Sequence, residues 1–170
     1  GGTGAKLMVY LRPDRPAANP VNLGIIRDCI ADFGAQDLLL VVEILTYQLA
    51  DESDADYRAG FAGLIVDSAR ISVQLGAKVL KLPYPGSAEG CAAVTAACGD
   101  VPWAVLSAGV DHATFIGQVD IAMQNGASGV IAGRALWKDC ISLDAARQRD
   151  RLETIASARL KEIQGVLDRY

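Results

Sequence analysis

Five short apolar runs divide the chain: "KLMVYL" from Lys6, "LLLVVEIL" from Leu38, "KVLKL" from Lys78, "WAVLSAG" from Trp103 and "GVIAG" from Gly129. Their apolarity is continuous rather than alternating, which predicts strands buried on both faces, as in parallel sheets covered by helices. Between them lie four segments with helical spacing: "NLGIIRDCIADFG", "YRAGFAGLIVDSARISVQLG", "GCAAVTAACG" and "HATFIGQVDIAMQNGA". In the second, Phe61, Leu64, Ile65, Ala69, Ile71 and Leu75 recur about one turn apart, while Asp67, Arg70 and Gln74 fall mostly elsewhere. Gly34, Gly76 and Gly126 stand where a left-handed residue would stop each helix before the next strand. The polar stretch "QLADESDADY" (Gln48 to Tyr57) predicts a βα loop with Asp and Ser available to cap the following helix.

The predicted order is therefore β-α-β-α-β-α-β-α-β, followed by an amphipathic tail from about Leu143 to Tyr170. Strands and helices alternating at this spacing mean βαβ units, hence an α/β fold with a parallel sheet, doubly wound or closed into a barrel. No internal boundary interrupts the pattern, so residues 1–170 are read as a single domain.

Composition narrows the function classes. With 51% hydrophobic and 21% charged residues, the chain has the makings of a packed core rather than of disorder. A net charge of −4 argues against a general nucleic-acid binder, because counterion release needs a cationic surface. Any anion must be gripped locally. No apolar run is long enough to span a bilayer and the start lacks a signal-peptide layout, so neither a membrane partner nor secretion is expected, and the expected location is cytoplasmic. Cys29, Cys91, Cys98 and Cys140 form no CxxC pair and the chain has one histidine, so no metal site is expected; the cysteines read as reduced and mostly buried.

In parallel α/β folds chemistry collects at the carboxyl ends of the strands. The polar residues there are Lys6, Glu43, Lys81, Ser107 with Gly109, and Gly133 with Arg134. Two lysines and a glutamate in apolar runs are costly to bury charged unless paired, so one reading is an internal ion-pair cluster. The other is catalytic: a desolvated Lys81 near a second ammonium, Lys6, would be a carbonyl-directed nucleophile, with Glu43 carrying protons. "SAGVD" (Ser107 to Asp111) and "AGRALW" (Ala132 to Trp137) offer glycines for close backbone approach and a guanidinium for an anion; tight turns before helices are the alternative. Arg12 and Asp14 in "LRPDRP" read as a solvated loop by default, with Arg12 a possible contact to the far end of a substrate. His112 reads as a surface residue at a helix start, and Trp103 and Trp137 as packing between sheet and helices.

Several motifs in order, "EILTY" from Glu43, "LKLPYPG" from Leu80, "PWAVLSAGVD" from Pro102 and "GASGVIAGRALWKD" from Gly126, resemble class I tagatose 1,6-bisphosphate aldolases. The related 6-deoxy-6-sulfofructose 1-phosphate aldolases are similar too. The resemblance runs from "AKLMVYLRPD" to about Asp139. It implies a (β/α)8 TIM barrel in which Lys81 forms a Schiff base with the ketose. Glu43 is then the acid/base group, Lys6 the lysine of the fourth strand, and Ser107, Gly109, Gly133 and Arg134 the phosphate site. It also implies no cofactor and a phosphorylated sugar as partner. If "KLMVYL" is the fourth strand, the chain covers strands four to eight and lacks the first three, so it is expected to be a carboxyl-terminal portion. A preceding segment or a homo-oligomer would complete the barrel. The expected function is reversible cleavage of a phosphorylated ketose, tagatose 1,6-bisphosphate foremost, to dihydroxyacetone phosphate and an aldehyde. The competing readings are the sulfosugar aldolase and a non-catalytic fragment that binds a phosphate ligand.

Overall fold

The computed structural model describes all 170 residues. Its strands are β1 (Gly4–Tyr10), β2 (Leu39–Leu45), β3 (Val79–Pro83), β4 (Trp103–Leu106) and β5 (Gly129–Ile131). The connecting helices are α1 (Pro20–Ala35), α2 (Asp54–Gln74), α3 (Ala88–Cys98) and α4 (His112–Gln124). A one-turn helix α5 (Arg134–Trp137) follows β5, and the tail forms α6 (Ala145–Arg151), a π-helical turn (Leu152–Ala156) and α7 (Ser157–Leu167). All strand pairs are parallel and the order is β1-β2-β3-β4-β5 without reversal. A doubly wound sheet reverses its order at a switch point, so this one is singly wound, in the manner of a barrel wall.

Side chains alternate across that wall. Leu40, Val42, Ile44, Leu80, Leu82, Trp103 and Val105 form one core with Ile26, Ile65, Val94, Phe115 and Val119 of the helices. Trp103 packs between sheet and helices as expected, and its Nε1–H donates to Thr95 Oγ1 at 3.0 Å. The other face carries Lys6, Met8 and Tyr10 of β1, Glu43 of β2 and Lys81 of β3. Here Met8, Tyr10 and Leu39 are about half exposed. Burial on both faces is thus corrected: helices cover one face only, and five strands in an open sheet leave the concave face uncovered by further strands.

The helix ends follow local chemistry. Ser53 accepts from the Asp56 amide at the start of α2, and Asp111 accepts from the Thr114 amide at the start of α4, using donors a helix cannot satisfy internally. Gly76 and Gly126 take positive φ after their helices, as expected. Gly34 does not: α1 runs on to Ala35, and Asp37 adopts the left-handed conformation instead. Aspartate tolerates that region better than most residues.

The four cysteines are free; Cys91, Cys98 and Cys140 are buried and Cys29 half-buried. Burial pushes the Cys91 and Cys98 thiols up to about 11. No helix is long and apolar enough to cross a membrane.

Candidate active site

Strand register brings the strand charges together. Glu43 pairs in register with Met8 on one side and Lys81 on the other, so its carboxylate lies between β1 and β3 on the concave face. Lys81 Nζ is 3.0 Å from Glu43 Oε1. Lys6 enters one pleat nearer the amino end of β1, and its Nζ donates to Glu43 Oε2 at 2.6 Å. Each carboxylate oxygen therefore faces one ammonium group. Burial alone would raise the Glu43 pKa; hydrogen bonds and charge from Lys6 and Lys81 outweigh it, and the carboxyl is held below its ordinary value.

The two lysines differ in surroundings. The Lys81 side chain is 14% exposed against 44% for Lys6, so water solvates Lys6 while Lys81 faces mainly protein. Lys78, three residues before Lys81, is exposed and precedes the strand. Lys81 and Glu43 open into a cavity of about 490 Å³, a size that suits a small ligand. Met8, Tyr10, Leu45 and Phe61 form its apolar and aromatic wall. Lys6 does not line it; it reaches Glu43 from below, in a shallow depression beside Leu39 and Val41.

The other end of the cavity is formed by Ser107, Ala108, Gly133, Arg134 and Trp137. Ala108 and Gly109 both have positive φ, 48° and 81°, within a turn closed by the Val110 amide donating to the Ser107 carbonyl at 3.0 Å. For alanine that conformation costs about 1–2 kcal/mol, which the surrounding contacts must offset. A Cβ on Gly109 would lie 3.3 Å from the centre of the Arg134 guanidinium, so glycine lets that group lie flat on the turn. Lys138 Nζ donates to the Gly109 carbonyl at 2.6 Å and ties the turn to α5. The Arg134 side chain makes no ion pair or hydrogen bond within the chain, which leaves its charge available to an anion.

Among the residues singled out from sequence, Lys81, Glu43, Ser107, Gly133 and Arg134 line one cavity. Lys6 supports it from below, and Gly109 lies beneath Arg134. Arg12 is corrected: it is 1% exposed and lies outside the cavity. All five of its N–H donors are used: Nε and Nη2 on Asp14 at 2.9 and 2.8 Å, Nη1 and Nη2 on Glu52 at 2.7 and 3.1 Å, and Nη1 on the Tyr47 carbonyl at 2.7 Å. The Asn19 side chain also bonds both the amide and the carbonyl of Arg12. Arg12 is a brace between the loops after β1 and β2, with no donor left for a ligand. Trp137 is corrected too, since it is 40% exposed and lines the cavity. His112 pairs with Glu162 of α7 at 2.6 Å.

The sequence reading gave no site role to Ala108, Trp137, Lys138 or Arg159. Arg159 of α7 donates to the Leu136 carbonyl at 2.9 Å and grips both oxygens of Asp139 at 2.6 and 2.8 Å, so the tail secures the turn that carries Arg134. That bond pulls the Asp139 carboxyl down to about 2. The motifs containing Ala108, Trp137 and Lys138 were the available signal; nothing local marked Arg159.

A singly wound parallel wall with polar groups gathered toward one end of its concave face defines the (β/α)8-barrel class. Solved structures agree: a Schiff base-forming fructose-1,6-bisphosphate aldolase superposes with a TM-score of 0.72 at 22% identity, over 96% of this chain and 59% of that one. The model of the DeoC/LacD family aldolases matches residues 1–139, and the chain belongs to that family. Among curated relatives, a tagatose 1,6-diphosphate aldolase of Listeria monocytogenes is 30% identical, the alignment taking in 99% of this chain and 57% of that protein. A 2-amino-3,7-dideoxy-D-threo-hept-6-ulosonate synthase of Archaeoglobus fulgidus is 45% identical over 72 residues, 41% of this chain and 26% of that protein. The chain thus spans little more than half the length of the tagatose aldolases it matches.

Proposed function

We propose that this chain carries the Schiff-base machinery of a class I aldolase that cleaves a phosphorylated ketose. The observation that carries the reading is Lys81, mostly buried at the cavity floor, 3.0 Å from a carboxylate that a second ammonium also holds. Lys81 passes one proton to Glu43 and attacks the ketose carbonyl as the amine; a second proton moves from its nitrogen to the new alkoxide, Glu43 returns the first, water leaves and an iminium forms. Loss of the proton from the hydroxyl on the departing carbon breaks the adjacent carbon–carbon bond, and its electron pair enters the iminium as an enamine. The aldehyde leaves; protonation and hydrolysis of the enamine then return dihydroxyacetone phosphate and the free lysine. Glu43 is within hydrogen-bond reach of Lys81 Nζ and serves the proton transfers there, while Lys6 keeps it ionised between turnovers.

Arg134 and the Ser107–Gly109 turn take the phosphate next to the attacked carbonyl, fixing the ketose with its reactive carbon over Lys81. The aldehyde half then meets Met8, Tyr10 and Phe61. Tagatose 1,6-bisphosphate is the substrate favoured by the names of the relatives, and no organic cofactor or metal enters the steps. In this reading further βα units cover the concave face, where Met8, Tyr10 and Leu39 are now exposed.

Borohydride reduction in the presence of dihydroxyacetone phosphate is the test. A covalent adduct on the peptide containing Lys81, absent in Lys81→Arg, supports the reading. Saturable phosphate-ligand binding with no adduct would make the chain a binding module instead. Cleavage rates for tagatose 1,6-bisphosphate and 6-deoxy-6-sulfofructose 1-phosphate decide the sugar.

A further inference from the structure

The geometry points to Trp137 as a second directional donor of the anion site: its indole Nε1–H binds the same phosphate oxygens that Arg134 attracts. The inference rests on the phosphate site of the proposed aldolase and adds a residue to it. The two tryptophans of the chain are in opposite situations. Trp103 is fully buried and its N–H is used by Thr95. Trp137 is 40% exposed, lines the cavity, and its N–H has no acceptor within the chain. An indole N–H can only donate, so at the cavity wall it takes its acceptor from solvent or from a ligand.

Its neighbours sharpen the assignment. A Cβ on Gly133 would lie 3.6 Å from Trp137 Nε1, an ordinary van der Waals distance, so the indole donor lies beside the turn that follows β5. Gly109 stands in the same relation to the Arg134 guanidinium, at 3.3–3.5 Å. Both donors without a partner in the chain therefore lie against glycines of the strand-end turns, and Arg134 and Trp137 lie on the same one-turn helix. That helix is held from both sides: Lys138 reaches the Gly109 carbonyl, and Arg159 caps the Leu136 carbonyl. An uncharged ligand would satisfy the indole but leave the guanidinium unpaired. An oxyanion with several acceptor oxygens satisfies both, and a phosphate monoester is the class that fits.

Inorganic phosphate is the probe. Trp137→Phe keeps the ring face and removes the donor, so its Kd for phosphate should rise about ten-fold or more, the usual loss for a hydrogen bond to a charged group. An unchanged Kd overturns the inference. A measurement on the unaltered protein covers the case of a variant that fails to fold. Of the two indole N–H proton resonances, the one that exchanges quickly with water should move downfield on phosphate titration, and the protected Trp103 signal should stay. A fast-exchanging signal that does not move while phosphate binds overturns the inference. Borohydride trapping at Lys81 keeps the two readings apart. Trapping with no role for Trp137 leaves the aldolase standing and removes this residue; phosphate bound through Trp137 without trapping keeps the anion site and removes the aldolase.

Discussion

Replacing Arg12 separates a brace from a ligand contact. Arg12→Met keeps a side chain of similar length and removes every donor. The Asp14 and Glu52 carboxylates are left facing each other, and the Tyr47 carbonyl loses its partner. Removing one member of a buried ion pair typically costs about 3–5 kcal/mol. Here the two carboxylate side chains are 38% and 18% exposed, so water recovers part of that, and a loss of about 2–4 kcal/mol is expected. For a domain of this size each kcal/mol lowers Tm by about 2–4 °C, so thermal melting should fall by roughly 5–15 °C.

The pH dependence gives an independent check. Hydrogen bonds from Arg12 hold Asp14 and Glu52 below their ordinary values of 3.8 and 4.5. A depressed carboxyl pKa stabilises the fold fully above the unfolded-state value, and that contribution is lost as pH falls through the folded-state value. The Tm gap between parent and variant should therefore be widest well above pH 4.5, narrow as the pH falls through the ordinary values of 4.5 and 3.8, and close only below the depressed folded-state values. The assay is melting followed by circular dichroism across that range, with trapping at Lys81 measured well below Tm. A variant that melts within about 2 °C of the parent yet loses affinity for a phosphorylated ketose would refute the brace and restore Arg12 as a substrate contact.

Glu43→Gln preserves the shape of the strand cluster and removes the group that moves protons at Lys81 Nζ; borohydride trapping at Lys81 and ketose cleavage should both slow, cleavage by about 10²–10⁴-fold, and cleavage within ten-fold of the parent would count against Glu43. Arg159→Ala frees Asp139 and the Leu136 carbonyl, so KM should rise by up to about ten-fold with kcat little altered, as expected when binding alone is loosened; steady-state kinetics read the split. Ala108→Gly removes the cost of a left-handed alanine but adds chain entropy, so Tm should change by no more than a few degrees, whereas Ala108→Val should lower it clearly in the same melting assay.

What the sequence disclosed and what it hid divide along one physical line. Lys6, Glu43 and Lys81 were legible because charges inside apolar runs are anomalies, and parallel strand register then had to bring them to one face. The cap at Ser53 was legible because the signal is local, an Asp- and Ser-rich stretch between a strand and a helix. The uncovered concave face was not, since a continuous apolar strand looks the same whether its second face meets helices, other strands or solvent. Arg12 was misread for a related reason: the loop shows Asp14 two residues away, but Glu52 lies forty residues on and only the fold brings it near. Gly34 lost its role to Asp37 because a single extra helical residue is decided by packing, not by composition.

The same line runs through the site itself. In the proposed reading its covalent chemistry stands on strands, where register fixes positions to within a side chain. Its anion end stands on turns and a one-turn helix, which have little rigidity of their own. That end is held by a left-handed Ala108, by Lys138 and by Arg159 of the tail. The family pattern ends at residue 139, yet Asp139 is the residue Arg159 grips, and Ile163 and Val166 of the same helix are buried in the main core. The tail is thus part of the scaffold that aims Arg134, although its own sequence shows only an amphipathic helix. If the proposed phosphate end is correct, its affinity depends on residues beyond the matched region, and variation in the tail should alter ligand affinity before it alters the reactivity of Lys81.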